Sequence, residues 1–208
     1  MKHIFFIDLD NTIYFTKPNE EQLMGALYRF LGSLDLGISD ENFQLAKQDM
    51  LRTPFIKVAK KYGFKEEVMP EILSYLENRE VSNPLKPSDD YHYIKSLKGR
   101  KFIVTAGFQK QQLSKVKMLG IADDFEEVSV VDVSVNNKKD VFISLIDQHN
   151  LNMEDILIIG DDAESEIKYG LELGICTFLL DPENLHPSAE STFRGNDLSN
   201  LHEAAGQS

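Results

Sequence analysis

Residues 4–7, Ile4-Phe5-Phe6-Ile7, form an apolar run that stops at Asp8-Leu9-Asp10-Asn11-Thr12. β-Branched and aromatic residues without polar alternation suit a strand buried on both faces, the kind found inside parallel sheets. The strand ends at two carboxylates with one residue between them. In an extended segment residues two apart point the same way, although a turn begins here. Like charges at the tip of a buried strand are costly unless a cation, a shared proton or a donor relieves them. A hard cation such as Mg²⁺ prefers oxygen ligands and supplies that relief. The competing account is a polar turn built from Asp and Asn, and these residues alone do not separate the two.

From Pro18 to Asn83 the apolar residues recur at helical spacing instead. Leu23, Leu27, Phe30, Leu31 and Leu34 make one stripe, with Asn19 and Gln22 spaced as a capping box at its start. A second helix is expected from Ser39 or Asp40 through Phe43, Ala46, Met50 and Leu51 to Thr53. Thr53-Pro54 reads as N-cap and first residue of a third helix, which carries Phe55, Val58, Ala59 and Tyr62 and stops at Gly63. A fourth covers residues 66–78, with Pro70 in its first turn.

Asn83-Pro84-Leu85-Lys86-Pro87-Ser88 is the sharpest break in composition. Beyond it, Ser88 is expected to cap a helix ending near Gly99. Strands then alternate with helices: strand 101–105, helix 109–119, strand 128–133, helix 138–150, strand 156–160, helix 163–173 and strand 175–180. That alternation implies right-handed βαβ units and a parallel sheet covered on both faces. The tail adds a short strand near Phe193 and a helix within 197–204, and its last residues are expected to fray. The first strand is thus separated from its partners by a helical insert. Open α/β sheets bind ligands at the C-terminal strand ends, so the insert is expected to hang over Asp8 and Asp10 as a cap.

Three further strand ends carry chemistry. Thr105-Ala106-Gly107 closes one strand with a hydroxyl and small residues, which suits an oxyanion met by backbone N–H groups. Asn136-Asn137-Lys138-Lys139 opens a helix with lysines, unfavourable against the helix dipole unless an anion is near. Gly160-Asp161-Asp162 ends a buried strand in a second acidic cluster, with Asp162 placed to cap the next helix.

Composition narrows the partners. The 208 residues are 42% hydrophobic, enough for one domain or a domain with an insert. A net charge of −12 argues against broad contact with nucleic-acid phosphates but allows a small phosphate ligand beside a metal and a lysine. The lone Cys176 excludes an internal disulfide, and no apolar run reaches the length of a signal segment or a membrane span. A soluble, cytoplasmic protein is expected; oligomeric state is not readable.

Taken in order, Asp8-Leu9-Asp10-Asn11-Thr12, the strand ending in Thr105, Lys138 or Lys139 (Lys138 preferred), and Gly160-Asp161 with Glu166 resemble the four motifs of the haloacid dehalogenase superfamily. Gln112, Lys115 and Leu119-Gly120 resemble the helix after its second motif, and Glu166 departs from the family's Asp. The resemblance implies a Rossmann-like sheet in the order 5-4-1-2-3, with a core of residues 1–14 and 88–208 and a helical cap of 15–87. It implies a phosphatase acting on a small phosphorylated metabolite with Mg²⁺. Asp8 would be nucleophile and metal ligand, Asp10 acid/base and carbonyl ligand, and Asp161 a metal ligand. Thr105, the Ala106 N–H and Lys138 would hold the phosphoryl group. A phosphomutase, a phosphoreceiver or an idle binding member are the alternatives. Arg52, Lys57 and Lys60 are candidate substrate contacts, and residues 14–17 a candidate mobile segment.

Overall fold

Strand β1 (Ile4–Ile7) lies inside a six-stranded sheet in the computed structural model, which describes residues 1–207. Its partners are β2 (Arg100–Ala106), β3 (Glu127–Val131), β4 (Ile156–Gly160), β5 (Cys176–Leu180) and β6 (Phe193–Gly195). The order is β3-β2-β1-β4-β5-β6 and every pairing is parallel. The expected 5-4-1-2-3 arrangement is therefore present, extended by β6 beside β5. Register matches Phe6 with Phe102 on one side and with Ile158 on the other.

All four residues of β1 are buried, and they feed two different cores. Phe5 and Ile7 join Ile103, Leu157, Ile159 and Phe178, while Ile4 and Phe6 join Phe102, Val104, Ile156 and Ile158. Successive residues of a strand face opposite ways, so an uninterrupted apolar run is what a doubly covered strand requires.

The insert contains helices α1 (Glu20–Gly32), α2 (Asp40–Asp49), α3 (Phe55–Tyr62) and α4 (Met69–Asn78). They enclose a core of their own, with Leu27, Leu31, Ala46, Val58, Ile72 and Leu76 at its centre. On the sheet side, α5 (Tyr91–Ser96), α6 (Gln109–Leu119) and α9 (Leu201–Ala204) contribute Ile94, Val116 and Leu201 to one face. Helix α7 (Lys138–His149) covers the other, where Phe142 stacks on Phe6 at 5.4 Å between ring centroids. Helix α8 (Lys168–Glu172) lies close against β4 and β5 because Gly170 has no Cβ; one placed there would sit 2.6 Å from Thr177 Cγ2.

Several expected helix starts differ, and residues 66–68 form a separate 3-10 turn, so that α4 begins at Met69. Asn19 makes no capping hydrogen bond and donates to the Phe15 carbonyl instead. Pro54, not Thr53, occupies the N-cap of α3. Helix α5 starts after Asp90 and ends at Ser96, and the Ser88 hydroxyl is buried without a partner. Residues 163–173 are not one α-helix: Ala163–Ile167 is a π-helical turn broken at Ser165, and α8 begins after it. The expected fraying does not reach Gln207, whose side chain bonds the backbones of Lys2 and Lys98; Ser208 lies outside the described residues. No helix among the described residues is long and apolar enough to cross a membrane.

Phe142→Ala removes a ring buried between α7 and the sheet and is expected to cost about 3–5 kcal/mol. Urea unfolding followed by circular dichroism measures it; a loss below about 1 kcal/mol contradicts a tightly packed interface between α7 and the sheet.

Candidate active site

Parallel strands put their C-terminal ends on one edge, and the chemically notable residues gather there. Asp8 lies one residue past β1, its N–H bonded to the Ile159 carbonyl at 2.9 Å. Thr105 and Ala106 end β2, Lys138 opens α7, and Asp161 follows β4. All of them, with Asp10, line one cavity of about 840 Å³. Its wall also includes Met24, Leu27, Arg52 and Phe55 from the helical insert, so the insert roofs the strand ends.

The centre of the site is an ionic cluster. The ammonium of Lys138, buried at 5% exposure, donates to Asp8 Oδ1 at 2.5 Å and to Glu166 Oε2 at 2.8 Å. Burial disfavours that ammonium, but Asp8 and Glu166 outweigh it and hold Lys138 charged. Asp8 is pushed up to about 7, chiefly by burial and by its acidic neighbours, against the pull of Lys138. Burial and the charges of Asp8 and Glu166 likewise raise Asp161 well above the carboxylate range. Oxygens of Asp8, Asp161 and Glu166 lie within 4.8 Å of one another. Three carboxylates around one ammonium leave two negative charges in excess when all are ionised, a donor set suited to a hard divalent cation. Arg52, on the helical insert, pairs with Asp161 at 3.0 Å and with Glu183 at 3.4 Å.

Glu166 reaches this cluster through local backbone geometry. The π-helical turn 163–167 buries its side chain, and the Asp162 N–H donates to its Oε1 at 2.8 Å. Gly160 leaves the space: a Cβ there would lie 2.2 Å from that same oxygen. A single π-helical turn inside helical structure often marks a functional site. Asp162 caps the turn by accepting from the Glu164 N–H.

Asp10 belongs to a separate network. Its carboxylate accepts from Lys115 at 2.8 and 3.0 Å, from Gln112 at 2.8 Å, and from the Tyr14 hydroxyl. Burial would raise this carboxyl, but the Lys115 charge and those hydrogen bonds hold it below its ordinary value. Burial, with the charge and hydrogen bond of Asp10, pushes the Tyr14 phenol well up. Gln112 also donates to Thr105 Oγ1 at 2.5 Å, leaving the threonine O–H free to donate elsewhere.

Of the two candidate lysines, Lys138 faces Asp8, whereas Lys139 is turned outward to Glu172 at 2.8 Å. Arg52 and Lys57 line the cavity, and Lys60 does not. Within residues 14–17, Tyr14 is wholly buried, and the Thr16 hydroxyl donates to the Leu51 carbonyl, tying the first turn to the helical insert. Sequence reasoning noticed Lys115 and Gln112 only as part of a helix pattern and gave Tyr14 no contact with Asp10. Their spacing of three residues on α6 does place both on one helix face.

A family model described as haloacid dehalogenase-like hydrolase matches residues 2–174. No curated protein matches the chain. Among solved structures, the HAD-hydrolase YfnB from Bacillus subtilis, bound to magnesium, superimposes with a TM-score of 0.67 at 19% identity, covering 98% of each chain. A HAD phosphatase from Thermococcus onnurineus gives 0.67 at 19% identity, over 99% of this chain and 98% of its own. The L-2-haloacid dehalogenase from Xanthobacter autotrophicus gives 0.62 at 13%, over 98% of each. At these identities the superpositions establish the fold.

The raised carboxyls predict a pH signature. Asp8 lies near 7 in the folded chain against an ordinary 3.8, so between those values the native state holds the extra proton. The stability this group contributes is complete below 3.8 and is lost as pH rises through about 7. Scanning calorimetry of metal-free protein should show Tm falling from about pH 4 to about pH 7, with the fall flattened in Asp8→Asn. An unchanged slope in that variant rules out Asp8 as its source.

Proposed function

The chain belongs to the haloacid dehalogenase-like hydrolases, and from that footing we propose that it is a Mg²⁺-dependent phosphatase of small phosphorylated metabolites. In this reading residues 15–87 are the cap over a core built from 1–14 and 88–208. One observation carries the choice of phosphatase over dehalogenase: the two carboxylates beyond β1 have different partners. Asp8 faces Lys138, and Asp10 faces Lys115, Gln112 and Tyr14. A departing alkoxide needs a proton and a departing halide does not, so a second, separately held carboxylate beside the nucleophile suits ester cleavage.

An Asp8 oxygen attacks phosphorus in line with the ester oxygen, forming an aspartyl-phosphate as the ester P–O bond breaks. Asp10 gives its proton to the leaving oxygen. It then takes a proton from the water that attacks the phosphorylated Asp8, and inorganic phosphate is released with the Asp8 carboxylate restored. In the free enzyme Lys115 keeps Asp10 ionised; a phosphate dianion entering beside it favours the protonated form that the first step needs. Thr105, the Ala106 N–H and Lys138 bind phosphoryl oxygens, and the Lys138 ammonium follows the negative charge as it moves from Asp8 to the phosphoryl group. Asp8, Asp161 and the Asp10 carbonyl would hold Mg²⁺, with Glu166 beside them. When bound, the ion supplies the charge neutralisation that lets two anions approach. A cytoplasmic setting fits a chain with one cysteine.

With p-nitrophenyl phosphate as reporter, Asp8→Asn should lower kcat by on the order of 10⁵-fold or more. Asp10→Asn should lower it by roughly 10²–10⁴-fold, least for so good a leaving group and more for an alkyl ester. Near wild-type turnover in Asp8→Asn refutes the assignment. EDTA should abolish phosphate release and added Mg²⁺ restore it; indifference to chelation removes the metal from the reaction. Halide released from a 2-haloacid, without phosphatase activity, would favour the dehalogenase instead.

A further inference from the structure

The cavity wall carries five cationic side chains besides Arg79, and each is already satisfied or open to water. Lys138 pairs with Asp8 and Glu166, Lys115 with Asp10, and Arg52 with Asp161 and Glu183. Lys110 donates to Asn78 Oδ1, and Lys57 is exposed. Arg79, the first residue after α4, differs from all of them. It lines the same cavity, it is largely withdrawn from water, and its Nη1 is buried without any hydrogen-bond partner. Burial weakens its hold on the proton, the titratable groups around it are the phenols of Tyr75, Tyr28 and Tyr14, and among the described residues no carboxylate pairs with it. Two of those phenols direct their hydroxyl protons elsewhere, Tyr28 to the Lys47 carbonyl and Tyr14 to Asp10. Glu77 also lines the wall but makes no ion pair with Arg79 among the described residues.

A buried guanidinium without a counter-charge destabilises a fold, so its presence calls for an anion that arrives from outside. The place of this one says which anion. The charge of Arg79 is felt at Tyr14, whose hydroxyl donates to Asp10, the group assigned to protonate the leaving oxygen. That links Arg79 to the part of the cavity where the alcohol departs, whereas the Lys138 cluster is assigned to the transferred phosphoryl group. Its planar fork matches a carboxylate or phosphate bidentately.

We propose that Arg79 binds a second anionic oxygen group on the leaving alcohol. The substrates would then be phosphate monoesters whose alcohol itself carries a carboxylate or another phosphate, rather than esters of neutral alcohols. This deepens the phosphatase reading and rests on it. Because Arg79 belongs to the helical insert and Asp10 follows β1, such a substrate would bridge the two. An ester of a neutral alcohol would leave the guanidinium unpaired.

Matched esters test the proposal. Phosphoglycolate against ethyl phosphate varies only a carboxylate for a methyl group; ethylene glycol bisphosphate against hydroxyethyl phosphate varies a phosphate for a hydroxyl. In the Mg²⁺-loaded enzyme, kcat/KM should favour the anionic member of at least one pair by roughly 10- to 100-fold. The pair with the larger ratio identifies the anion. Arg79→Met should collapse that ratio towards one, and Arg79→Lys should retain part of it. Calorimetric titration of Asp8→Asn and of Asp8→Asn/Arg79→Met with the same esters reads binding without turnover and should show the same loss. Tm of Arg79→Met should equal or exceed that of wild type, because an unpaired buried charge is removed. A ratio near one in the wild type, a ratio that survives Arg79→Met, or a marked fall in Tm overturns the subsite while leaving the phosphatase standing. No phosphate from any ester, p-nitrophenyl phosphate included, overturns both.

Discussion

A buried ammonium holds the site together. Lys138 sits between Asp8 and Glu166, almost out of contact with water, with Asp161 close by. A carboxylate withdrawn from solvent raises its own pKa unless something offsets the lost hydration. One lysine offsets part of it here and leaves an excess of negative charge that Asp8 and Asp161 express as raised pKa values. The surrounding packing serves this cluster. Gly160 has no side chain, so Glu166 can lie across it, and the π-helical turn 163–167 gives up regular helix to bury that carboxylate. Removing the Lys138 ammonium would leave Asp8 and Glu166 buried without their counter-charge, which costs more than the pair contributes.

The sheet makes the cluster possible. Asp8, Thr105, Lys138 and Asp161 lie far apart in sequence, yet parallel strands deliver all four to one edge. The central position of β1, between β2 and β4, puts Asp8 within reach of residues from both sides. The helical insert leaves directly after that strand and returns near Ser88, whose N–H bonds the Ile13 carbonyl. Both crossings therefore lie beside the site, and contacts such as Thr16 with Leu51 and Arg52 with Asp161 tie the insert to the chemistry beneath it.

Local patterns in the sequence disclosed most of the strands and helices, because apolar period and glycine or asparagine stops are short-range signals. The left-handed ends at Gly63, Gly120 and Asn150 are examples. Helix starts were less legible. Asn19, Thr53 and Ser88 have the right chemistry for caps, but a cap needs its side chain free to turn back, and at Asn19 the Phe15 carbonyl claims the amide. Asp10 illustrates a different gap. Its partners Gln112 and Lys115 are 102 and 105 residues away, so nothing near it in the chain distinguishes it electrostatically from Asp8. Arg79 reads locally as one more surface charge after an amphipathic helix. Only burial and, among the described residues, the lack of an ion-pair partner set it apart.

By itself the sequence determined the class of fold and the identity of the groups at the strand tips. Backbone periodicity and turn chemistry act over a few residues and are written in order along the chain. Tertiary structure decided how those groups are shared out. It set Lys138 rather than Lys139 against Asp8, gave Asp10 a counter-charge of its own, and brought Glu166 into the acidic cluster. It also left Arg79 without a counter-charge. These outcomes turn on burial and on distances between residues remote in sequence. Hydration loss and Coulomb energy depend on position in space, and no local pattern encodes it.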